Sequence, residues 1–114
     1  MNIIDSYNFG RITINGEKHT SDVIIFPDSV KDNWLMKRSH QLSLEDIAGV
    51  LAQNPEVLIV GTGAYGLVKV LPEVERATEA QGIKLVAEPT KEACQTYNQL
   101  CRSQKVVAAL HLTC

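Results

Sequence analysis

The sequence predicts an α/β domain whose largely parallel sheet is covered on both faces and made mixed by an N-terminal β-hairpin. Three observations carry this. From residue 43 onward, helical apolar stripes alternate with short apolar runs in the order α-β-α-β-α-β, which implies right-handed crossovers. Near the start, Asn15-Gly16 interrupts an alternating apolar and polar pattern, the strongest short hairpin signal. The chain of 114 residues has no repeat, linker or low-complexity run, so it reads as one domain over residues 1–114.

Taken in order, RITI and EKHT flank the Asn15-Gly16 turn, with Ile12 and Ile14 on one face. The returning strand is expected to continue through Ser21 and Asp22 into VIIF, until Pro27 removes a ladder N–H. The pattern becomes continuously apolar there, as in a strand covered on both sides. Val30 to Met36, around Trp34, is expected to form a third strand, followed by a polar loop from Lys37 to His40. Ser43 is placed to cap a helix with Asp46 in its first turn, and Leu44, Ile47, Ala48 and Leu51 make its apolar stripe. Asn54-Pro55 ends that helix, and Val57 to Val60 is a buried-type strand. Pro72 opens a second helix and Gly82 closes it. Ile83 to Ala87 is a further strand, and Thr90 caps a third helix with Ala93, Cys94, Tyr97, Leu100 and Cys101 on one side. Val106 to Leu110 is the final strand.

Residues 57–66, VLIVGTGAYG, contain G-x-G-x-x-G, and Glu88 lies 22 positions after Gly66. That spacing matches a dinucleotide fingerprint. The chemistry requires a helix to begin inside the glycine turn, so that its free amides and positive dipole end meet the pyrophosphate. The residues after Gly63 read Ala-Tyr-Gly-Leu-Val-Lys-Val-Leu, and the next sound helix start is Pro72. The chain is also too short for a second mononucleotide-binding half. A dinucleotide oxidoreductase is therefore disfavoured and no cofactor is implied. The simpler expectation is a sharp turn at the carboxyl end of a buried strand, with Gly61 and Gly63 supplying conformational freedom. Such a turn still offers a candidate ligand mouth, in which Gly61, Thr62 and Gly63 present amides to a small anion and Arg38 and His40 face the same opening.

Other chemistry is thin. His111 and Cys114 are three apart, which strand geometry sends to opposite faces, and no local cluster completes a metal site. Cys94 and Cys101 share a helix face about 10 Å apart along its axis, too far to bond, and read as small core hydrophobes. Trp34 is a candidate core or interface anchor. The net charge of −2 argues against nucleic acid, and no window holds the roughly 20 apolar residues of a membrane span. Three cysteines without framework spacing, and a start without secretion or organelle signals, lead to an expectation of a cytoplasmic protein.

The segments FGRITING, SDVIIFPDSV, Trp34 to His40, EVLIVGTG, GIKLVAEPT, EACQTYNQL and VVAALHLTC cover nearly the whole chain in order. Together they resemble the MTH-type domain-of-unknown-function family, which includes adipogenesis-associated and mitochondrial complex I assembly-factor branches. The ending HLTC is closer to the soluble, non-mitochondrial branch. The resemblance implies a three-layer fold with a central mixed sheet of about five strands and helices on both sides. It supplies no catalytic residue and no cofactor. It implies a non-enzymatic protein-interaction or assembly module acting on a protein partner, with a homo-oligomer left open. The alternative is a small-ligand or anion-binding domain at the glycine turn, with minor enzymatic activity.

Overall fold

A computed structural model describes residues 1–114. Its ten strands are β1 (Ile4–Asn8), β2 (Arg11–Ile14), β3 (Glu17–His19), β4 (Val23–Ile25), β5 (Val30–Lys31), β6 (Gln41–Leu42), β7 (Val57–Thr62), β8 (Lys69–Val70), β9 (Lys84–Glu88) and β10 (Val106–His111). Its helices are α1 (Ala48–Ala52), α2 (Pro72–Ala80) and α3 (Thr90–Leu100), with a 3₁₀ turn at Glu45–Ile47 before α1. The central sheet has five strands in the order β5-β4-β10-β7-β9. Strands β10, β7 and β9 are mutually parallel, while β4 runs against both β10 and β5. Four of the five strands therefore point one way, giving the expected mixed, mostly parallel sheet.

Every residue of β7 is buried, as is β10 up to Leu110. Their unbroken apolar runs follow from having a covered face on both sides. Alternation then divides the side chains between two cores. Val57, Ile59, Val106, Ala108 and Leu110 pack with Ala93, Cys94 and Tyr97 of α3 and with Ile4, Ile12 and Ile14 of the N-terminal strands. Leu58, Val60, Val107 and Ala109 pack on the other side with Val50 of α1, Val74 of α2, Trp34 and Leu42. No helix is long and apolar enough to cross a membrane.

The N-terminal unit is a three-stranded antiparallel sheet, one strand more than the predicted hairpin. The extra strand, β1, pairs with β2 through a tight turn at Gly10, where φ is +79°. The side-chain amide of Asn98 holds its other edge, accepting from Ile4 N at 3.0 Å and donating to Ile4 O at 2.8 Å. The strand expected to run through Ser21 and Asp22 breaks there, because both side chains are engaged in loop contacts. Ser21 Oγ donates to Asp32, and the Asp22 carboxylate accepts the amide of Leu112.

The expected strand from Val30 to Met36 ends at Lys31. Asn33 takes φ +52°, its amide donates to Ser21 Oγ, and Trp34 N donates to Asp22 O at 3.0 Å. Trp34 is only 3% exposed, and its indole N–H donates to Asp46 O at 3.1 Å. Of the two roles expected for it, core or interface anchor, the ring fills the core one, among Leu42, Ile47, Val50 and Leu58. Asp46 also accepts from Lys37 N and from Ser43 N and Oγ. Tied on three sides, the segment turns as 3₁₀ and the helix restarts after Ile47, whose φ is −119°. The predicted stripe is interrupted accordingly, with Ile47 and Val50 inward and Ala48 exposed.

From Pro72 onward the agreement is close. Pro72 opens α2 and Gly82, at φ +72°, follows its end. Helix α3 buries Ala93, Cys94 and Tyr97, with Leu100 and Cys101 half-buried at the rim. Tyr97 hydroxyl donates to Asn2 O at 2.8 Å, and burial pushes its ionisation upward. Burial alone pushes the Cys94 thiol from 9.0 up to about 12. An acid whose folded value is raised stabilises the fold below its unfolded value and loses that contribution as pH climbs toward the folded one. Stability is therefore expected to fall between pH 9.0 and about 12, and Cys94→Ala to flatten that part of the profile in urea melts taken at successive pH values. In native protein at pH 8, iodoacetamide is expected to label Cys94 more slowly than Cys101 or Cys114, as read by peptide mass spectrometry.

Candidate functional site

The carboxyl ends of β7, β10 and β9 bring together the glycine turn, Thr90 and His111. Gly61 and Thr62 still belong to β7, so the turn begins later than expected. Gly61 is needed for packing instead: a Cβ there would lie 2.8 Å from Leu110 Cδ2 and 2.9 Å from Thr90 Oγ1. Gly63 makes the turn, with φ +100°, and a Cβ on it would meet Cys114 O at 2.6 Å and Thr113 O at 2.8 Å. The last residues of the chain thus cross directly against the glycine turn. Ala64 N donates to Thr113 O at 2.7 Å, Gly66 N donates to Gly63 O at 3.2 Å, and Gly66 takes φ +69°.

Thr90 does not cap α3 with its side chain, as the sequence leads one to expect. Its hydroxyl, fully buried, accepts from Gly63 N at 2.9 Å and donates to His111 O at 2.6 Å. Its amide donates to Gly63 O at 3.0 Å. One threonine therefore ties the ends of β7 and β10 to the start of α3. The sequence signal for a cap and for this bridge is the same residue type, and only the neighbouring strands decide between them.

The tail is held from the opposite side by Asp22. Its Oδ1 accepts Leu112 N at 2.8 Å, and its Oδ2 lies 2.6 Å from His111 Nδ1. A carboxylate only accepts, so the Nδ1 proton points at Asp22, and Nε2 lies 3.3 Å from Thr113 Oγ1. Leu112 O accepts both Tyr7 hydroxyl at 2.8 Å and Gly10 N at 2.9 Å. The order Asp22, His111, Thr113 resembles the acid–base–nucleophile chain of hydrolases. Here, however, the neighbouring amides that would receive an oxyanion, Gly63 N and Ala64 N, already have backbone or side-chain acceptors. None of the surface concavities is lined by His111 or Thr113. The chain of bonds works as a clamp on the tail.

The proposed ligand mouth is only partly assembled. Gly61, Thr62 and Gly63 are buried, and His40 does reach this end, with its ring edge-on to His111 at 5.8 Å between centroids. Arg38 lies elsewhere, in a cleft shared with Lys37, Ser43, Glu45, Leu71 and Glu73. Helix α2 starts at Pro72, not within the glycines, and Glu88 accepts from Thr96 hydroxyl at 2.7 Å. The two features that gave the dinucleotide spacing are thus engaged within the fold.

Sequence reasoning missed what the glycine loop displays. Tyr65 is 71% exposed and Phe9, in the turn between β1 and β2, is 57% exposed. Their ring centroids are 6.1 Å apart, with planes tilted by 42°. Each ring neighbours a turn glycine of positive φ, Gly10 or Gly66, and an aromatic beside such a glycine was the available signal. Both loops are fastened to the tail, through Gly10 N to Leu112 O and Ala64 N to Thr113 O.

This architecture defines a three-layer α/β domain whose carboxyl-end crevice is closed by its own last residues. The chain belongs to the protein family of unknown function DUF498/DUF598, whose model matches residues 4–111. It is 33% identical over 109 residues to human NADH dehydrogenase [ubiquinone] 1 alpha subcomplex assembly factor 3, a match covering 93% of this chain and 58% of the relative. The chain therefore spans less than two thirds of that relative's length. Among solved structures it is similar to a conserved hypothetical protein from Pyrococcus horikoshii, with a TM-score of 0.89, 29% identity, and 97% and 98% of the two chains covered. A Mth938-like domain from Bordetella pertussis matches with a TM-score of 0.69 at 26% identity, over 97% of this chain and 85% of the other. The expected family and fold are those found.

The clamp makes a quantitative expectation. Thr90→Val keeps the shape but strands two backbone groups, and is expected to cost about 1–3 kcal/mol in urea denaturation, with Thr90→Ser recovering most of it. Gly63→Ala adds close approach to backbone strain and is expected to cost about 2 kcal/mol or more. Gly16→Ala, also at positive φ but with nothing within 4 Å, is expected to cost less.

Proposed function

We propose that this domain is a non-enzymatic protein-interaction module of the assembly-factor kind, which meets its partner through Phe9 and Tyr65, with Leu67 two residues further along the same loop. The observation that carries this reading is the exposed aromatic pair, Phe9 at 57% and Tyr65 at 71%, on loops already fixed in place. Leu67 is 51% exposed. Paired aromatics on a rigid support lose little conformational freedom on binding, and aromatic residues dominate interface hot spots. The human relative's name, an assembly factor, agrees in kind with such a role. Three unpaired cysteines suit a reducing compartment such as the cytoplasm.

A small-anion role at the glycine turn has less support, because Gly63 N and Ala64 N are occupied. The test is affinity capture with wild type, with Phe9→Ser/Tyr65→Ser, and with Leu35→Ser as a control at another exposed apolar residue, 80% exposed. The double variant is expected to stay within about 0.5 kcal/mol of wild-type stability, as exposed substitutions usually do. It is expected to lose a partner that wild type and the control both retain, by about tenfold or more in affinity. Retention of every captured protein by the double variant would remove this surface from consideration.

A further inference from the structure

The central sheet has two edges. One is β5, only two residues long. The other is β9, whose five residues Lys-Leu-Val-Ala-Glu pair with β7 and with nothing on the outer side. We propose that β9 is a self-association edge, on which a second copy of this chain adds its own β9 antiparallel about a two-fold axis at Val86.

The backbone phase is right for this pairing. Lys84 N donates to Glu56 O at 3.0 Å, and the register runs Val57 to Lys84 through Gly61 to Glu88. In a parallel ladder of that phase, Lys84, Val86 and Glu88 turn their amides and carbonyls toward β7. Leu85 and Ala87 turn theirs outward. A two-fold axis at Val86 then sets each Leu85 opposite Ala87 of the second copy as a doubly hydrogen-bonded pair. Val86 faces its own equivalent as the closer, non-hydrogen-bonded pair. Four interchain backbone bonds result, with no polar group of either edge left in conflict.

Charge selects the occupant. In this register Lys84 of one copy stands opposite Glu88 of the other, twice in the dimer. The ammonium of Lys84 makes no ion pair within the chain, and Glu88 uses only Oε1, toward Thr96. Within one strand the two charges are four residues apart, too far to satisfy each other at about 3.3 Å rise per residue. Opposite charges on facing strands attract and like charges repel, so the same pattern rejects a parallel, in-register approach of two copies. Lys84 and Ala87 are exposed, which leaves the edge open to an approaching strand. Pro89 has no N–H and limits the pairing to these five residues. A strand this short buries less than the roughly 1,000 Å² of a lasting complex, so the association is concentration-dependent.

Sedimentation velocity from about 10 µM to about 1 mM, where short interfaces associate, is the test. Wild type is expected to pass from monomer to dimer, with amide exchange slowing at Leu85 and Ala87 only at the higher concentrations. Lys84→Glu alone and Glu88→Lys alone are each expected to raise the dissociation constant about tenfold, since both cross-strand pairs become repulsive. Mixing the two variants restores both pairs in a one-to-one heterodimer. Ala87→Pro, which removes an outward N–H and leaves the β7 ladder intact, is expected to abolish the dimer while circular dichroism shows the fold retained. A wild-type monomer throughout the range overturns the proposal. So does a dimer insensitive to all three substitutions, which would place the contact elsewhere, and so does a mixture that fails to pair.

Discussion

The structure depends on the last strand lying in the middle of the sheet. Strand β10 pairs on one side with β4, some 80 positions earlier in the chain, and on the other with β7. Both of its faces are covered, by α3 and the N-terminal sheet on one side and by α1, α2 and Trp34 on the other. Neither core can close without β10, because Val106, Ala108 and Leu110 supply one and Val107 and Ala109 the other. Contacts of such long sequence separation must repay the entropy of closing the loop between them, and burial on both faces is what does so.

Placing β10 centrally also decides what happens at its carboxyl end. In an open α/β sheet that end is ordinarily a crevice available to ligands. Here the chain continues through Leu112, Thr113 and Cys114 across the mouth, and the surroundings have adapted to it. Gly63 has no side chain where the tail passes, Thr90 bridges β7 to His111, and Asp22 holds His111 and the Leu112 amide. Gly63 lets backbone pack against backbone and Gly61 lets the Leu110 and Thr90 side chains come close, and close approach is the reason dinucleotide sites also use glycines. The shared requirement explains a shared motif without a shared ligand. What the closed mouth offers outward is the pair Phe9 and Tyr65, held by the same tail.

Legibility in the sequence followed how local the governing contacts were. Helices α2 and α3 and strands β7, β9 and β10 were readable because periodicity, Pro72 and Gly82 act within a turn or two of themselves. Between Ser21 and Ile47, the VIIF strand and the start at Val30 were legible too. The break at Ser21-Asp22, the end of the strand at Lys31 and the 3₁₀ turn before α1 were not, since side chains acting at a distance set them. Asp46 gathers Trp34, Lys37 and Ser43, and Asp22 reaches the far end of the chain. An aspartate in a hydrophilic stretch carries no mark of which amide it will accept. Thr90 shows the same difficulty at one residue, because a cap and a bridge require the same hydroxyl. Of the five residues proposed for the mouth, His40 and the glycine stretch come together and Arg38 does not.

The sequence by itself determined the α/β class, the two covered faces of the sheet and the absence of a helix starting within the glycine turn. Apolar spacing and helix-end chemistry are local properties, and they survive without knowledge of what packs against them. Only the tertiary structure decided that Gly61 serves packing, that Gly63 faces the chain's own tail, and that Trp34 is buried while Phe9 and Tyr65 meet in solvent. The glycine and aromatic outcomes join segments more than twenty residues apart, and the indole hydrogen bond that holds Trp34 reaches Asp46, 12 residues away, from a segment of irregular path. Their side chains carry no local preference strong enough to announce the meeting.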